Sequence, residues 1–195
     1  MAEAYSTAKE HGLAVHTDGA RVFNAAAALK VDVSEIAKYT DSLAIHLSKG
    51  LCAPVGGVLV GPGEFIKKAR RYRHMLGGGM SQSGILAAAG IVALEKMTGR
   101  LWQDHENARY LAKCLSEFPG ITIDESRADI NLVFFKWSGV SESFLAELPA
   151  EMLAEGIKIS SGAGGNFRFA LHNDITKEDV DFTVDTIRRL YDQVQ

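Results

Sequence analysis

Cysteine is scarce in this sequence, and long apolar runs are missing from it. The two cysteines among 195 residues, Cys52 and Cys114, lie far apart and not at a metal-ligand spacing. Their scarcity excludes a disulfide-rich secreted scaffold and predicts a reduced, cytoplasmic protein. No apolar run reaches the roughly 18 residues that a membrane-spanning helix needs, and the polar opening "MAEAYSTAKEHG" is unlike a signal peptide. The sequence therefore predicts no membrane partner.

An excess of positive charge is also lacking. The 21 basic and 24 acidic residues leave a net charge of −3. The one dense basic run, "KKARRYRH" at 67–74, has interleaved apolar residues, which favours the solvent-exposed face of an amphipathic helix over a phosphate or nucleic-acid patch. His11, His74 and His105 fall on predicted helices without partners at metal spacing. We therefore predict no nucleic-acid partner and no metal site.

The first half of the sequence alternates short apolar strands with helices, and 47% hydrophobic content is enough for a sizeable core. The pattern predicts strands at 13–16, 42–47 and 56–61. It predicts helices at 20–29, at 32–40 with Asp32 or Ser34 as the N-cap, from Gly63 through Met75, and a closely packed, buried helix at 81–97. Short, fully apolar strands between helices are typical of a mostly parallel sheet with helices on both faces. The predicted fold class is α/β.

The pattern changes near residues 98–102. Beyond this point it predicts helices at 101–118, 141–156 and 176–194, with strands at 120–123, 130–137, 157–160 and 166–171. These elements are those of a small α+β unit. We predict two domains, 1–99 and 100–195, without a flexible linker.

Polar residues cluster where the predicted strands end. "HTDGAR" places His16, Asp18 and Arg21 at a strand end, and Lys49 follows the next apolar strand. The carboxyl ends of parallel strands share one edge, where ligands of α/β proteins bind. Taken separately, aspartate and glycine make turns and most lysines are surface charges. Together, an amine against an apolar wall can form a Schiff base with an aldehyde cofactor, while an aspartate keeps a pyridine nitrogen protonated.

Four blocks of sequence carry a family resemblance. In chain order these blocks are "HTDGARVFNAA", "SLAIHLSKGLCAPVGGVLVG", "GGGMSQSGILAAAGIVAL" and "FRFALHNDIT". Their residues, order and spacing resemble those of the low-specificity L-threonine aldolases, from about residue 10 to the C-terminus. The resemblance implies the C-terminal portion of a fold-type-I, aspartate-aminotransferase-like enzyme that uses pyridoxal 5'-phosphate. Residues 1–99 would belong to its cofactor-binding large domain, and 100–195 would form its small domain.

The implied reaction is retro-aldol cleavage of L-threonine, L-allo-threonine or related β-hydroxy-α-amino acids to glycine and an aldehyde. By this resemblance Lys49 is the catalytic, cofactor-binding lysine, and Asp18 is the partner of the pyridine nitrogen. Arg21 would contact the cofactor ring oxygen and the substrate carboxylate, which Arg168 would also bind. The resemblance makes His172 a plausible neighbour of the carboxylate site. His46, on the strand leading to Lys49, is interpreted first as a packed strand residue and second as a ligand or base.

Two departures from the family pattern limit this assignment. The family's N-terminal segment, with its phosphate-binding loop and ring-stacking histidine, has no counterpart in these residues. Ser81 follows "GGGM", where many members carry an arginine that helps a neighbouring subunit hold its phosphate. We therefore expect this chain alone to bind pyridoxal phosphate weakly or not at all, and to have little aldolase activity. A complete family member is expected to be a homo-oligomer, a dimer or tetramer.

Two alternatives stay open. Another fold-type-I lyase, one that catalyses β-elimination, would use the same Lys49 and Asp18. A truncated fragment or an assembly subunit would have no catalytic activity at all.

Overall fold

The computed structural model describes residues 1–124 and 129–193. The chain divides into two compact units, Met1–Leu101 and Trp102–Gln195. This division lies two residues after the boundary that the sequence predicts.

The first unit combines five helices with a three-stranded sheet. Its elements are α1 (Ala2–Glu10), β1 (His16–Gly19), α2 (Val22–Leu29), α3 (Val33–Ala37), β2 (Ser42–His46), β3 (Gly57–Val60), α4 (Gly63–Met75) and α5 (Gly84–Val92), followed by a π-helical turn (Ala93–Met97) and a 3-10 turn (Thr98–Arg100). The strand order is β1-β2-β3. β1 and β2 are parallel, whereas β3 is antiparallel to β2. The sheet is therefore mixed.

The predicted strand at 13–16 is wrong. The paired strand is β1, whose register runs from His16 opposite Ser42 to Gly19 opposite Ile45. Leu13 is 58% exposed, so this apolar segment, which predicts a strand, does not contribute Leu13 to the core. As a consequence, Asp18 lies within the strand rather than in a turn after it.

One face of this sheet carries the first unit's core. Paired residues of neighbouring strands face the same side and successive residues alternate, so Leu43 and Ile45 share a face. They pack with Val22, Ala26 and Ile36 of the two short helices α2 and α3. Asp32 caps α3 by accepting a hydrogen bond from the Ser34 N–H at 2.8 Å, which confirms Asp32 as the N-cap.

The first helix is attached to the sheet through a polar cluster. The Asp41 carboxylate accepts hydrogen bonds from the Lys9 amine, from the Val15 N–H at 2.7 Å and from the Tyr5 hydroxyl at 3.4 Å. The hydrogen bond from Lys9, followed by that from Val15, lowers the pKa of Asp41 below its usual value. Because α1 has no buried side chain, the contacts of Lys9 and Tyr5 with Asp41, together with the ring contact between Tyr5 and Tyr39, attach it to the rest of the unit.

Two helices of the first unit are exposed. α4 has the predicted bounds and no buried side chain, which confirms that its basic run is solvent-exposed. The prediction of a buried helix at 81–97 is wrong: Ile85 is 79% exposed, and within α5 only Gly90 is buried. The small and apolar residues of this segment predict a packed helix. In the described structure, neighbouring elements cover only part of one side of α5.

The second unit is an α+β unit, as the sequence predicts. Its elements are α6 (Leu101–Ser116), β4 (Ile121–Ile123), β5 (Leu132–Trp137), α7 (Glu142–Ala154), β6 (Ser160–Gly162), β7 (Asn166–Ala170) and α8 (Lys177–Asp192). The sheet order is β4-β5-β7-β6, with all neighbours antiparallel. The strand predicted at 157–160 instead begins at Ser160, because Ile157 and Ile159 pack into the core as side chains of a connecting segment.

A single aromatic-rich core holds the second unit together. Trp137 is 1% exposed and packs its ring edge against Phe144 and Phe118, with ring centroids 5.2 Å and 6.0 Å apart. The Trp137 indole N–H donates to the Pro119 carbonyl at 3.0 Å, so its polar atom is satisfied. Across the described residues, no helix is long and apolar enough to cross a membrane.

Candidate active site

The parallel pairing of β1 and β2 creates the candidate site. Asp18 is opposite Ala44, and β2 ends two residues later at His46. Both strands therefore end at the same edge of the sheet, which confirms that expectation from the sequence. Asp18 at the end of β1 and the loop with Lys49 after β2 are placed at this edge by the backbone itself.

The Asp18 carboxylate is held in a defined position. Its Oδ1 accepts a hydrogen bond from the Ala20 N–H at 3.0 Å, a contact that spans the end of the strand. The side chain is exposed, and it lies on the sheet face opposite the core residue Leu43. An exposed carboxylate with one oxygen fixed by the backbone can present its other oxygen to a ligand.

The loop that carries Lys49 is anchored on both sides. The buried side chains of Leu47 and Leu51 flank it, and the Cys52 N–H donates to the Lys49 carbonyl at 2.9 Å. Cys52 has a φ of +60°, a left-handed conformation that non-glycine residues seldom adopt. Gly50 fits closely here, since a Cβ would lie 3.0 Å from the Leu101 side chain and 3.2 Å from the Asn24 side-chain oxygen. The backbone around Lys49 is therefore tightly specified.

The Lys49 amine itself is uncommitted. Its side chain is half-buried, and among the residues that the structure describes it makes no hydrogen bond or ion pair. An amine on a fixed loop, without an internal carboxylate to bind, is available to react with a ligand.

Arg21 and His46 complete the set in the first unit. Arg21 is half-buried at the residue immediately before α2, close behind Asp18 in the chain. His46 is half-buried and, by the register, faces the same side of the sheet as Asp18. His16 also faces this side, and its Nδ1 lies 2.8 Å from the Ser42 hydroxyl. His16 thus connects the start of β1 to Ser42 of β2, a structural role that its place in the sequence motif did not indicate.

Arg168 and His172 lie in the second unit. Arg168 is exposed on β7, between Phe134 of β5 and Ser160 of β6, and donates to the Ser160 hydroxyl at 3.2 Å. His172 is exposed, and its Nδ1 lies 3.6 Å from an Asp174 carboxylate oxygen. It lines a cleft of about 420 Å³ within this unit.

The structure therefore groups Asp18, Arg21, His46 and Lys49 in the first unit, and Arg168 and His172 in the second. Ser81 is exposed between α4 and α5, in neither group. No group of three or more metal-ligating side chains occurs among residues 1–124 and 129–193.

Comparison with known proteins extends these observations. Residues 1–138 match the model of the beta-eliminating lyase family. The low specificity L-threonine aldolase of Escherichia coli K12 is 44% identical over 178 residues, which cover 91% of this chain and 51% of the relative. Low-specificity L-threonine aldolase 1 of Arabidopsis thaliana is 41% identical over 177 residues, covering 91% of this chain and 49% of the relative.

A solved structure of Leishmania major threonine aldolase superposes with a TM-score of 0.73 at 20% identity, covering 97% of this chain and 55% of that one. This likeness shows the fold, which is that of the fold-type-I pyridoxal-phosphate enzymes. The chain spans about half the length of the curated relatives it matches.

Proposed function

Because this chain belongs to the beta-eliminating lyase family, we propose that it carries the lysine-bearing half of a pyridoxal-phosphate site that cleaves β-hydroxy-α-amino acids. The observation that carries the proposal is the parallel register of β1 and β2, which brings Asp18 and the Lys49 loop to one sheet edge. The Escherichia coli and Arabidopsis thaliana relatives that cover 91% of this chain are threonine aldolases, which supports L-threonine and L-allo-threonine as the substrates.

The residues at this edge fit the cofactor. Beta-eliminating lyases and threonine aldolases depend on pyridoxal phosphate. The Lys49 amine is uncommitted among the described residues, as binding of an aldehyde requires, and the Asp18 carboxylate has an oxygen free to meet a ring nitrogen. When bound, pyridoxal phosphate supplies a sink for the electron pair released as a bond to Cα breaks.

Lys49 and Asp18 have separate tasks in this proposal. Lys49 would hold the cofactor through its aldehyde carbon, and its amine, when not bound in this way, would be able to carry a proton to or from Cα. Asp18 holds a proton on the pyridine nitrogen, since a carboxylate next to that nitrogen favours its charged form. The hydrogen bond from the Ala20 N–H keeps Asp18 in this orientation.

Arg21 and Arg168 are proposed to bind carboxylate. A guanidinium offers a planar fork of donors that matches a substrate carboxylate, and Arg21 lies close enough to Asp18 in the chain to contact the cofactor as well. A guanidinium bound to the substrate carboxylate would orient the amino acid for cleavage of the correct bond. His46 and His172 are proposed as neighbours of these groups rather than as catalytic residues.

The overall reaction balances without a further reactant. The Cα–Cβ bond breaks, the β-hydroxyl loses its proton, an aldehyde leaves, and Cα gains a proton to give glycine. We infer that this chain alone performs the reaction poorly, because the residues that would hold the cofactor phosphate have no assigned counterpart among the described residues. A homo-oligomer is the expected form of the active enzyme.

β-Elimination is the second candidate, and the name of the matching family favours it. It would use Lys49 and Asp18 in the same way but would release a group from Cβ. Serine and threonine offered to the enzyme separate the two reactions: glycine and an aldehyde indicate aldol cleavage, whereas a 2-oxo acid and ammonia indicate elimination.

Borohydride trapping tests the central assignment. The chain is incubated with enough pyridoxal phosphate to modify surface lysines, reduced, digested and mapped by mass spectrometry, so that selectivity rather than affinity is measured. We expect Lys49 to be modified several-fold more than exposed lysines such as Lys38. Lys49→Ala should remove the dominant modified peptide, whereas Lys38→Ala should leave modification of Lys49 unchanged. Modification spread evenly over surface lysines would remove Lys49 from the site.

A further inference from the structure

One buried polar side chain of the first unit has no part in the chemistry proposed above. Asn24 of α2 is 3% exposed, and the other buried residues of this helix are the apolar Val22 and Ala26. Burying an amide costs free energy unless its oxygen and nitrogen find hydrogen-bonding groups. Leucine has the same branching and is a better helix former. Asparagine at this position therefore indicates a polar contact rather than packing alone.

The Asn24 amide lies against the backbone of Gly50, the residue that follows Lys49. A Cβ built on Gly50 would lie 3.2 Å from Asn24 Oδ1 and 3.5 Å from Asn24 Nδ2. Gly50 is the only glycine of the Lys49 loop, residues 47–53. Because glycine has no Cβ, the amide can approach the peptide groups of this loop closely.

The other contacts of the loop leave its direction to this amide. The Ala53 N–H donates to the Leu47 carbonyl at 3.0 Å, a hydrogen bond that closes the loop on itself. Leu47 and Leu51 belong to a buried cluster against which Phe23 and Ala27 of α2 pack. Apolar packing is non-directional, so it holds the loop near α2 without fixing its rotation. An amide contact depends on direction and can fix that rotation.

Helix α2 connects the amide contact with the other residues of the site. Arg21 is the residue immediately before the helix, and Asp18 lies three residues before Arg21. The Cα–Cβ bonds of a helix tilt toward its N-terminus, so the Asn24 side chain leans toward the end of α2 that carries Arg21. Asn24 thus lies between the residues that follow β1 and the loop that follows β2.

We propose that Asn24 is a positioning residue for Lys49. Its amide fixes the Gly50 backbone against α2 and so sets the direction in which the Lys49 side chain leaves the loop. This inference rests on the proposed function, in which Lys49 meets the cofactor aldehyde while Asp18 meets the ring nitrogen. Both contacts are made to one rigid ring, so a misdirected Lys49 would lose one of them.

Asn24→Leu tests the proposal through two measurements. One is the ratio of Lys49 to Lys38 modification in borohydride trapping, and the other is hydrogen exchange at the Gly50 amide without cofactor. We expect the ratio to fall about tenfold and the exchange to quicken about tenfold, as the loss of one hydrogen bond predicts. An unchanged ratio in Asn24→Leu, where the wild type prefers Lys49, would overturn the proposal. A wild type without that preference would instead count against the proposed function, and unchanged exchange at Gly50 would then overturn the role of Asn24.

Asn131→Leu is the matched control. Asn131 is also 3% exposed but lies in the second unit, so its replacement removes a buried amide far along the chain from Lys49. It should leave the ratio and the Gly50 exchange unchanged even where the urea midpoint falls. Equal losses of the ratio in Asn131→Leu and Asn24→Leu would mean that general destabilisation is the cause, and would overturn the proposal.

Gly50→Ala approaches the same contact from the loop and provides a second variant should Asn24→Leu fold poorly. Its methyl group would press on the Asn24 amide, so the Lys49 to Lys38 ratio should fall. Combining Gly50→Ala with Asn24→Leu should lower the ratio little further, because changes that disrupt one contact are not additive. Losses that multiply in the double variant would show two separate effects and would overturn the proposal.

Discussion

In the second unit, 18 buried residues form one hydrophobic cluster, whereas the buried residues of the first unit form two separate clusters of five and four. The first unit also exposes Ile85 on α5 and every residue of β3. Soluble proteins seldom leave a contiguous apolar surface uncovered unless something binds it. The comparison predicts that the second unit, with one continuous core, is the more stable of the two, whereas the first, which holds Lys49, leaves apolar side chains exposed.

The largest difference between the units is expected when they are produced as separate fragments. We expect residues 102–195 to unfold cooperatively in urea, because their core is continuous. Residues 1–101 should bind the dye ANS and unfold over a broad range, because their buried clusters are small. Circular dichroism and dye fluorescence of the two fragments measure this, with the whole chain as the reference. Cooperative unfolding of 1–101 without dye binding would contradict the comparison.

Two methionines offer a matched pair of smaller effect. Met152 is fully buried in the second unit, and Met80 in the first is 60% exposed. Met152→Ala should lower the free energy of unfolding of the second unit by about 2–5 kcal/mol through the cavity it leaves. Met80→Ala should change stability by less than about 0.5 kcal/mol. Urea unfolding measures both, and similar losses would mean that the surface around Met80 is packed.

Histidine titration should distinguish the units by pH. Burial of His105 in α6 lowers the pKa of its imidazole, against the opposing effect of Asp104. The unfolded state then binds the proton more readily, so stability should be full above about pH 6.5 and fall as the pH drops below that value. Urea midpoints between pH 5 and 8 should show this slope in the wild type and a smaller one in His105→Gln. The exposed His74→Gln serves as control, and an unchanged slope in His105→Gln would refute the assignment.

Helix capping should give the smallest contrast. The Thr176 hydroxyl accepts from the Asp179 N–H at 3.2 Å, and the Asp179 carboxylate accepts from the Thr176 N–H at 2.8 Å. Thr176→Ala should lower the free energy of unfolding of the second unit by about 1 kcal/mol. Asp32→Ala removes the analogous cap of the five-residue α3 and should affect only the first unit. Tryptophan fluorescence, which reports Trp102 and Trp137 in the second unit, should detect the former and not the latter.

Much of the fold follows from local sequence signals. The bounds of α4 follow from Gly63 and the glycines at 77–79, and the Asp32 cap follows from the chemistry of its side chain. The sequence predicts β1 too early in the chain, because the apolar residues 13–15 favour a strand more strongly than "HTDG" does. The strand conformation of "HTDG" depends on pairing with β2. The exposure of α5 could not be predicted, because its sequence describes what it can bury and not which element covers it.

The candidate site divides in the same way. Strand order places Asp18 and Lys49 at one edge, and this could be predicted from two apolar strands and their polar ends. The left-handed conformation of Cys52 and the contact between His16 and Ser42 could not be predicted, since each depends on three-dimensional contacts. The roles of Lys49, Asp18, Arg21 and Arg168 stay predictions for the experiments above.

The attachment of α1 through Asp41 makes part of this molecule responsive to ionic strength. At 1 M salt the screening length falls to about 3 Å, so the partly exposed Lys9–Asp41 pair loses most of its attraction. The apolar core around Trp137 is strengthened rather than weakened by salts such as sulfate. Sodium chloride should therefore loosen the N-terminal helix from the sheet while the second unit stays folded, so that a simple salt titration resolves the two by hydrogen exchange.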